Sequence, residues 1–337
     1  MKKIIFYFFI LCYFYQYANA KSDSFLIQNM EDTSKTLMNH DDLLNSHLNF
    51  IGKSNTAIGG YLEGNTNYFS SDGISDGFSM EMRRVNIFLY SSIANNVKFF
   101  SEIEFEHGAE EISLETALID FEINPAFNFR AGILLAPIGA FNQDHDGPKW
   151  EFVERPLMFT QIIPSTLSEI GFGIHGKWHV SNKVFFYEGY LVNGLGDGII
   201  SNSKGRTFLE SGKNPEMFSE DNNGIPMFTG KIGFKYKKNI EIGMSYYGGV
   251  YNTYKIDGIK VDEKRKLAIY AIDFKSHLKK AIINAEFAYS IINVPKSLVQ
   301  LYGNQQWGTY AEIVYPVLKR KFFNYEQVTV NVNFRIE

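Results

Sequence analysis

The sequence predicts an all-β protein, a transmembrane antiparallel β-barrel, on three observations. From Ile58 onward, segments of about ten residues alternate apolar with polar side chains; the breaks between them are by turns short and long; and no stretch is long and apolar enough for a spanning helix. Successive strand side chains point to opposite faces, so each segment has one oily and one wet surface. Four stretches show this cleanly. In 228–237, Phe228, Ile232, Phe234 and Tyr236 share one parity, and Thr229, Lys231, Lys235 and Lys237 the other. Residues 240–250 set Ile240, Ile242, Met244, Tyr246 and Val250 against Glu241 and Ser245; 281–291 set Ala281, Ile283, Ala285, Phe287, Tyr289 and Ile291 against Asn284, Glu286 and Ser290. The last, 327–336, sets Val328, Val330, Val332, Phe334 and Ile336 against Gln327, Thr329, Asn331, Asn333 and Arg335.

A soluble sandwich would also alternate, and the N-terminus argues against it. The chain opens Met1-Lys2-Lys3, runs through an apolar, aromatic stretch from Ile4 to Tyr15 and reaches Ala18-Asn19-Ala20, a small-x-small cleavage pattern. Residues 1–20 therefore read as a secretory signal peptide, too short for a membrane helix of about 20 apolar residues. Cys12 is the only cysteine, and it lies inside this segment behind Leu11, where a lipoprotein signal would place a small residue. The mature chain then has no thiol, so disulfides and cysteine-based metal or catalytic sites are excluded. The chain is 45% hydrophobic and 16% aromatic, with 30 Phe and 20 Tyr, yet its mean hydropathy is only −0.17. That is too polar for helices in lipid, and it supplies the rings of interfacial girdles. The formal charge of −4 becomes more negative when Lys2 and Lys3 leave with the signal, which does not fit a nucleic-acid binder.

Residues 21–56 form a periplasmic segment, and 57–337 the barrel domain. Within the former, Leu37, Leu44 and Leu48 have near-helical spacing over 33–48, compatible with a short periplasmic helix or with a flexible plug or tail. Strands are expected at 57–69, 78–91, 97–107, 113–123, 127–136, 170–180, 183–193, 227–238, 240–251, 266–277, 281–291, 306–317 and 326–337. Short gaps hold turn formers: Ala94-Asn95-Asn96, Asn124-Pro125-Ala126, Ser181-Asn182, Asn239 and Lys279-Lys280. The alternate gaps, at 70–77, 108–112, 137–169, 194–226, 252–265 and 292–305, are mostly longer and face outward if the N-terminus is periplasmic. Thirteen strands do not close a single-chain bacterial barrel, where the number is even. The expectation is a complete protein of 16 strands with this sequence truncated at its C-terminus, or a strand split or missed.

One block carries a family likeness. The run Arg130-Ala-Gly-Ile-Leu-Leu-Ala-Pro-Ile-Gly139 is followed by Phe141-Asn142, His145-Asp146, Trp150 and Glu154-Arg155-Pro156-Leu157. Ile163-Pro164-Ser-Thr-Leu-Ser-Glu169 then leads to Gly171, Gly173 and Gly176. This pattern resembles the phosphate-selective porin O and P family, and the Arg83-Arg84 doublet resembles that family's second strand. The likeness extends from Ile58 to the end, with only 130–178 distinctive. It implies a water-filled, trimeric outer-membrane channel whose third long loop folds inward as a constriction.

The wet parity names the candidate pore lining. Segment 97–107 puts Lys98, Glu102, Glu104 and Glu106 on one face, while Arg84, Arg130, Lys231, Lys235 and Lys237 are basic candidates on other strands. Opposed acidic and basic walls would set up a transverse field favouring small polar solutes. A general or mildly selective diffusion channel is therefore expected ahead of a phosphate-specific one. Loop 137–169 is long enough to be functional, with Asp144, His145, Asp146, Lys149, Glu151, Glu154, Arg155 and Glu169 available to ring an eyelet and Trp150, Phe152, Leu157 and Phe159 to pin it. A trimer-interface loop is the alternative, and for any single charge, a solvated position. Asp144-His145-Asp146 is the one local cluster compatible with catalysis or a metal. Neighbours on an extended chain diverge, and no Gly-x-Ser-x-Gly or His-Glu-x-x-His motif occurs, so no enzyme, metal or cofactor is expected; His40/His47 and His175/His179 make no convincing site. Two functions stand: passive diffusion of small hydrophilic solutes or ions, anions such as phosphate included, and an adhesive or structural barrel with a blocked lumen. The expected partners are those solutes, outer-membrane lipid and two further copies of the chain.

Overall fold

The computed structural model describes residues 6–8, 56–237, 239–321 and 327–337. The expected periplasmic segment before Thr56, its helix or plug, His40 and His47 lie outside the described residues, as does the leader apart from Phe6–Phe8. Thirteen long strands and that three-residue segment form one 14-stranded sheet in which every long strand pairs antiparallel with its neighbours in the chain. They are β1 (Thr56–Ser71), β2 (Ile74–Ala94), β3 (Val97–Glu106), β4 (Glu111–Asn124), β5 (Phe127–Leu135), β6 (Ser168–Val180) and β7 (Lys183–Val192). Then follow β8 (Met227–Tyr236), β9 (Ile240–Val250), β10 (Lys266–Leu278), β11 (Ala281–Ile292), β12 (Gln305–Lys321) and β13 (Gln327–Ile336). Phe6–Phe8 pairs with Thr66 to Tyr68 on the outer edge of β1. Every strand expected from the alternation is present.

Two outer gaps are shorter than expected. The gap at 70–77 closes to the hairpin turn Asp72-Gly73, where φ is 53° and 82°. Positive φ at both positions is the primed two-residue turn whose twist matches its strands, and Asp-Gly is a strong local signal for it. The serines around it lack alternation, which hid the strand extensions. The gap at 108–112 likewise closes to a turn over 107–110. The long connections are 136–167, 193–226, 251–265 and 293–304, the third carrying a small hairpin of Lys255–Ile256 with Ile259–Lys260.

The two faces separate as the alternation requires. On β8 and β9, Ile232 is 62% exposed and Met244 54%, while their neighbours Lys231 and Ser245 are buried. Outward rings gather near the two ends of the wall: Phe228, Tyr246 and Tyr270 toward the long loops, Trp178 with Tyr187 and Phe185 with Phe234 toward the short turns. Such girdles mark membrane interfaces.

The inner face is not uniformly wet. Toward the long-loop end, Tyr247, Leu267, Ile269, Ala271, Ala288, Ile292 and Tyr310 turn inward and bury an apolar cluster with Ile138, Phe159, Ile163 and Leu167 from the first long loop and Leu195, Ile199 and Leu209 from the second. A strand that backs such a core is apolar on both faces there. This is why the alternation blurs in 266–277.

Candidate functional site

Loop 136–167 folds inside the wall and touches it on almost every side. Its entry is stitched by Asn142, whose side-chain amide donates to the Ala136 carbonyl and whose oxygen accepts from the Leu167 amide, both at 2.8 Å. Next, wall groups capture loop backbone. The Glu286 carboxylate accepts from the amides of Ala140 and Phe141, each at 2.9 Å, and Lys231 donates to the Gly139 carbonyl at 3.0 Å while pairing with Asp273 at 2.9 Å. Gly139 has φ +69°, and a Cβ there would lie 2.5 Å from the Glu286 carboxylate. Only glycine meets both demands. Phe141 packs on Phe159 and edge-on to Trp150, and Phe159 packs edge-on to Tyr310.

The far side of the loop meets β1 to β4. His145 Nε2 faces Glu115 at 2.5 Å and Glu102 at 3.7 Å, Lys149 pairs with Asp146 at 2.6 Å, and Asn86 donates to Glu102 at 2.9 Å. Burial alone would depress the His145 imidazole, but the charges of Glu115 and Asp146 raise it above its ordinary value. By the same contest, Asp146 is held below the usual carboxylate range by Lys149 and His145 despite its burial, and Lys149 is raised by Asp146.

Residues 151–157 then reach both ends of the sheet. Arg83 on β2 donates to the Val153 carbonyl at 3.0 Å and approaches Glu154; on β13, Asn331 donates to Glu151, Arg335 donates to the Glu154 carbonyl and its guanidinium lies 4.1 Å over the Phe152 ring. The second strand and the last thus hold the same loop segment from opposite ends of the sheet order.

The candidates named from sequence fall into distinct groups. Arg84 is buried among Glu63, Glu104 and Glu106 at 3.2, 3.5 and 3.4 Å. Glu102, His145, Asp146 and Lys149 join that group through Asn86 and the loop. Arg130 is apart, buried against Asp120 at 2.5 Å, with His175 on the same carboxylate at 2.7 Å. Lys231 pairs with Asp273, and Lys235 faces Glu241 at 3.6 Å. Arg155 donates to the Ser165 carbonyl within its own loop at 2.6 Å. Asp144, Lys149 and Glu286 line a small recess between the loop and the wall of β10 to β12. Of the proposed pins, Phe159 is fully buried and Leu157 is exposed. Most of these charges are therefore buried in pairs, not solvated in an open lumen.

Two of the register shifts in the wall bear on the site. β1 and β2 slip register so that Glu63 faces Arg84 and Gly64 faces Met82, leaving Arg83 extra; β3 and β4 slip so that Glu102 faces Thr116 and Ile103 faces Leu114, leaving Glu115 extra. A bulge of this kind turns two consecutive side chains to one face. Polar doublets, Arg83-Arg84 and Glu115-Thr116, are the sequence trace of it.

No family model matches the chain. A protein of Aquifex aeolicus (strain VF5), described as an uncharacterized protein, is 28% identical over 303 residues, 82% of this chain and 64% of that one, so this chain spans under two thirds of its relative's length. Among solved structures, the anion-selective porin from Comamonas acidovorans covers 83% of the chain and 78% of its own at 8% identity and a TM-score of 0.49. OmpF of Salmonella typhi covers 85% and 80% at 9% identity and a TM-score of 0.44. OmpT of Vibrio cholerae in its trimer form covers 83% and 88% at 12% identity and a TM-score of 0.38.

Proposed function

We propose that the chain is a bacterial outer-membrane channel for passive diffusion of small hydrophilic solutes or ions, with loop 136–167 as its constriction and no catalytic step. The observation that carries this is the loop itself: a long segment folded into the barrel, captured by wall carboxylates, with a charged recess beneath it. The apolar outer face supports a wall set in lipid, and the reading of residues 1–20 as a secretory leader supports export ahead of insertion. Homotrimeric assembly, implied by the resemblance of 130–178, belongs to the same proposal. Phosphate specificity is less well supported, because Arg84, Arg130, Lys231 and Lys235 each already face a carboxylate. The second reading, an adhesive or structural barrel with a blocked lumen, is favoured by the buried apolar cluster around Phe159 and Leu167. Liposome swelling separates the two. A channel admits small sugars and excludes larger ones, and a blocked barrel admits none.

A further inference from the structure

We propose that Glu102, Glu115 and His145 form a binding site for a first-row divalent transition-metal ion, such as Zn2+, that ties the inserted loop to the barrel wall. The three residues are buried and come from β3, β4 and the loop, with one ligand atom of each lying within 4.8 Å of the others. His145 Nε2 stands 2.5 Å from Glu115 and 3.7 Å from Glu102. Zinc holds nitrogen and oxygen ligands at about 2.0–2.2 Å, which puts ligand atoms of a tetrahedral site roughly 3.3 Å apart. The observed separations bracket that value, so side-chain shifts of about an ångström or less admit the ion.

Two further observations point to a cation here. Thr116 is fully buried, its Oγ1 has no hydrogen-bond partner, and its register opposite Glu102 puts it on the same inner face, beside the bulged Glu115. A hydroxyl oxygen in that place is a further donor for the ion or for a water bound to it. Charge points the same way. Glu63, Glu102, Glu104, Glu106, Glu115 and Asp146 gather around Arg83, Arg84 and Lys149, so the carboxyl groups of the cluster outnumber its basic side chains by six to four even with His145 counted among the latter. Uncompensated charge out of water is expensive, and a divalent ion removes the excess. Two carboxylates with an imidazole suit zinc and its neighbours better than calcium or magnesium, which take oxygen ligands at higher coordination number. Chain spacing could not reveal the set, since the bulge supplies Glu115 and loop insertion supplies His145.

The test is metal titration of the full chain, folded in detergent and stripped with chelator, using Zn2+ in competition with a chromophoric chelator and Co2+ by its d–d absorbance. One equivalent should bind saturably. His145→Gln, Glu115→Gln and Glu102→Gln should each weaken it at least tenfold, while Glu110→Gln in an outer turn leaves it unchanged. A heat-modifiable band on a gel verifies the fold of each variant. If His145→Gln does not fold, Glu102→Gln decides the matter, because it removes one ligand and leaves the His145–Glu115 contact in place. Absence of saturable one-to-one binding to folded wild type, or binding unchanged in the folded ligand variants, would overturn the site.

Discussion

Gly139 is where the loop turns into the lumen, and its backbone and its neighbours both require the absence of a side chain. At φ +69° an L-residue is strained, and the Glu286 carboxylate that receives two loop amides occupies the space a Cβ would take. Gly139→Ala should therefore destabilise the folded protein by about 1–3 kcal/mol, read as a shift of the denaturant midpoint in detergent. Arg130 makes a second case. Taken from sequence alone it is a lumen charge whose replacement would alter selectivity and leave stability nearly untouched. Burial against Asp120 and beside His175 reverses that expectation: Arg130→Glu leaves two buried carboxylates facing each other, and removing one partner of a buried pair costs about 3–5 kcal/mol. Loss of the heat-modifiable band at reduced temperature is the outcome to look for.

At the scale of the strand, alternation carried most of the information, since lipid on one side and polar groups on the other impose period two with few exceptions. The exceptions have physical causes. Bulges at Arg83 and Glu115 turn adjacent residues the same way, so a strict parity count misplaces both. Around Leu267, Ile269 and Ala271 the inner face is apolar because folded loops press against it, and no property of that strand alone announces the loop. Pairs across neighbouring strands, such as Arg130 with Asp120 and Lys235 with Glu241, follow from hairpin register, whereas Lys231 with Asp273 and His145 with Glu115 join segments distant in sequence, and nothing local announces them. The lipid face gives a direct check. Ile272 is 47% exposed in the middle of β10, and Ile272→Arg should cost about 2–4 kcal/mol if that level is the bilayer midplane. Unfolding titrations in lipid vesicles measure it, and a neutral effect would place this face out of the membrane.

For the whole molecule, orientation and passage are the properties at stake. Tight turns at one end and four long connections at the other fit a barrel with its turns in the periplasm and its loops outside. A cysteine placed at the exposed Ser203 should then react with an impermeant reagent on intact cells, whereas one at Asn95 should react only after the outer membrane is breached. The inverse pattern would reverse the orientation.

The loop in the lumen unites these scales, because Glu286, Lys231, Asn86 and Arg335 on strands all around the wall converge on it. If it is the constriction of a channel, removing residues 142–160 should widen the passage. Single-channel recording in planar bilayers under a salt gradient tests this most directly: wild type should conduct in small steps, and the deletion variant, shown to be folded by its heat-modifiable band, in larger ones with a reversal potential closer to zero. A wild type that never conducts, or a deletion that leaves both step size and reversal potential unchanged, would contradict it.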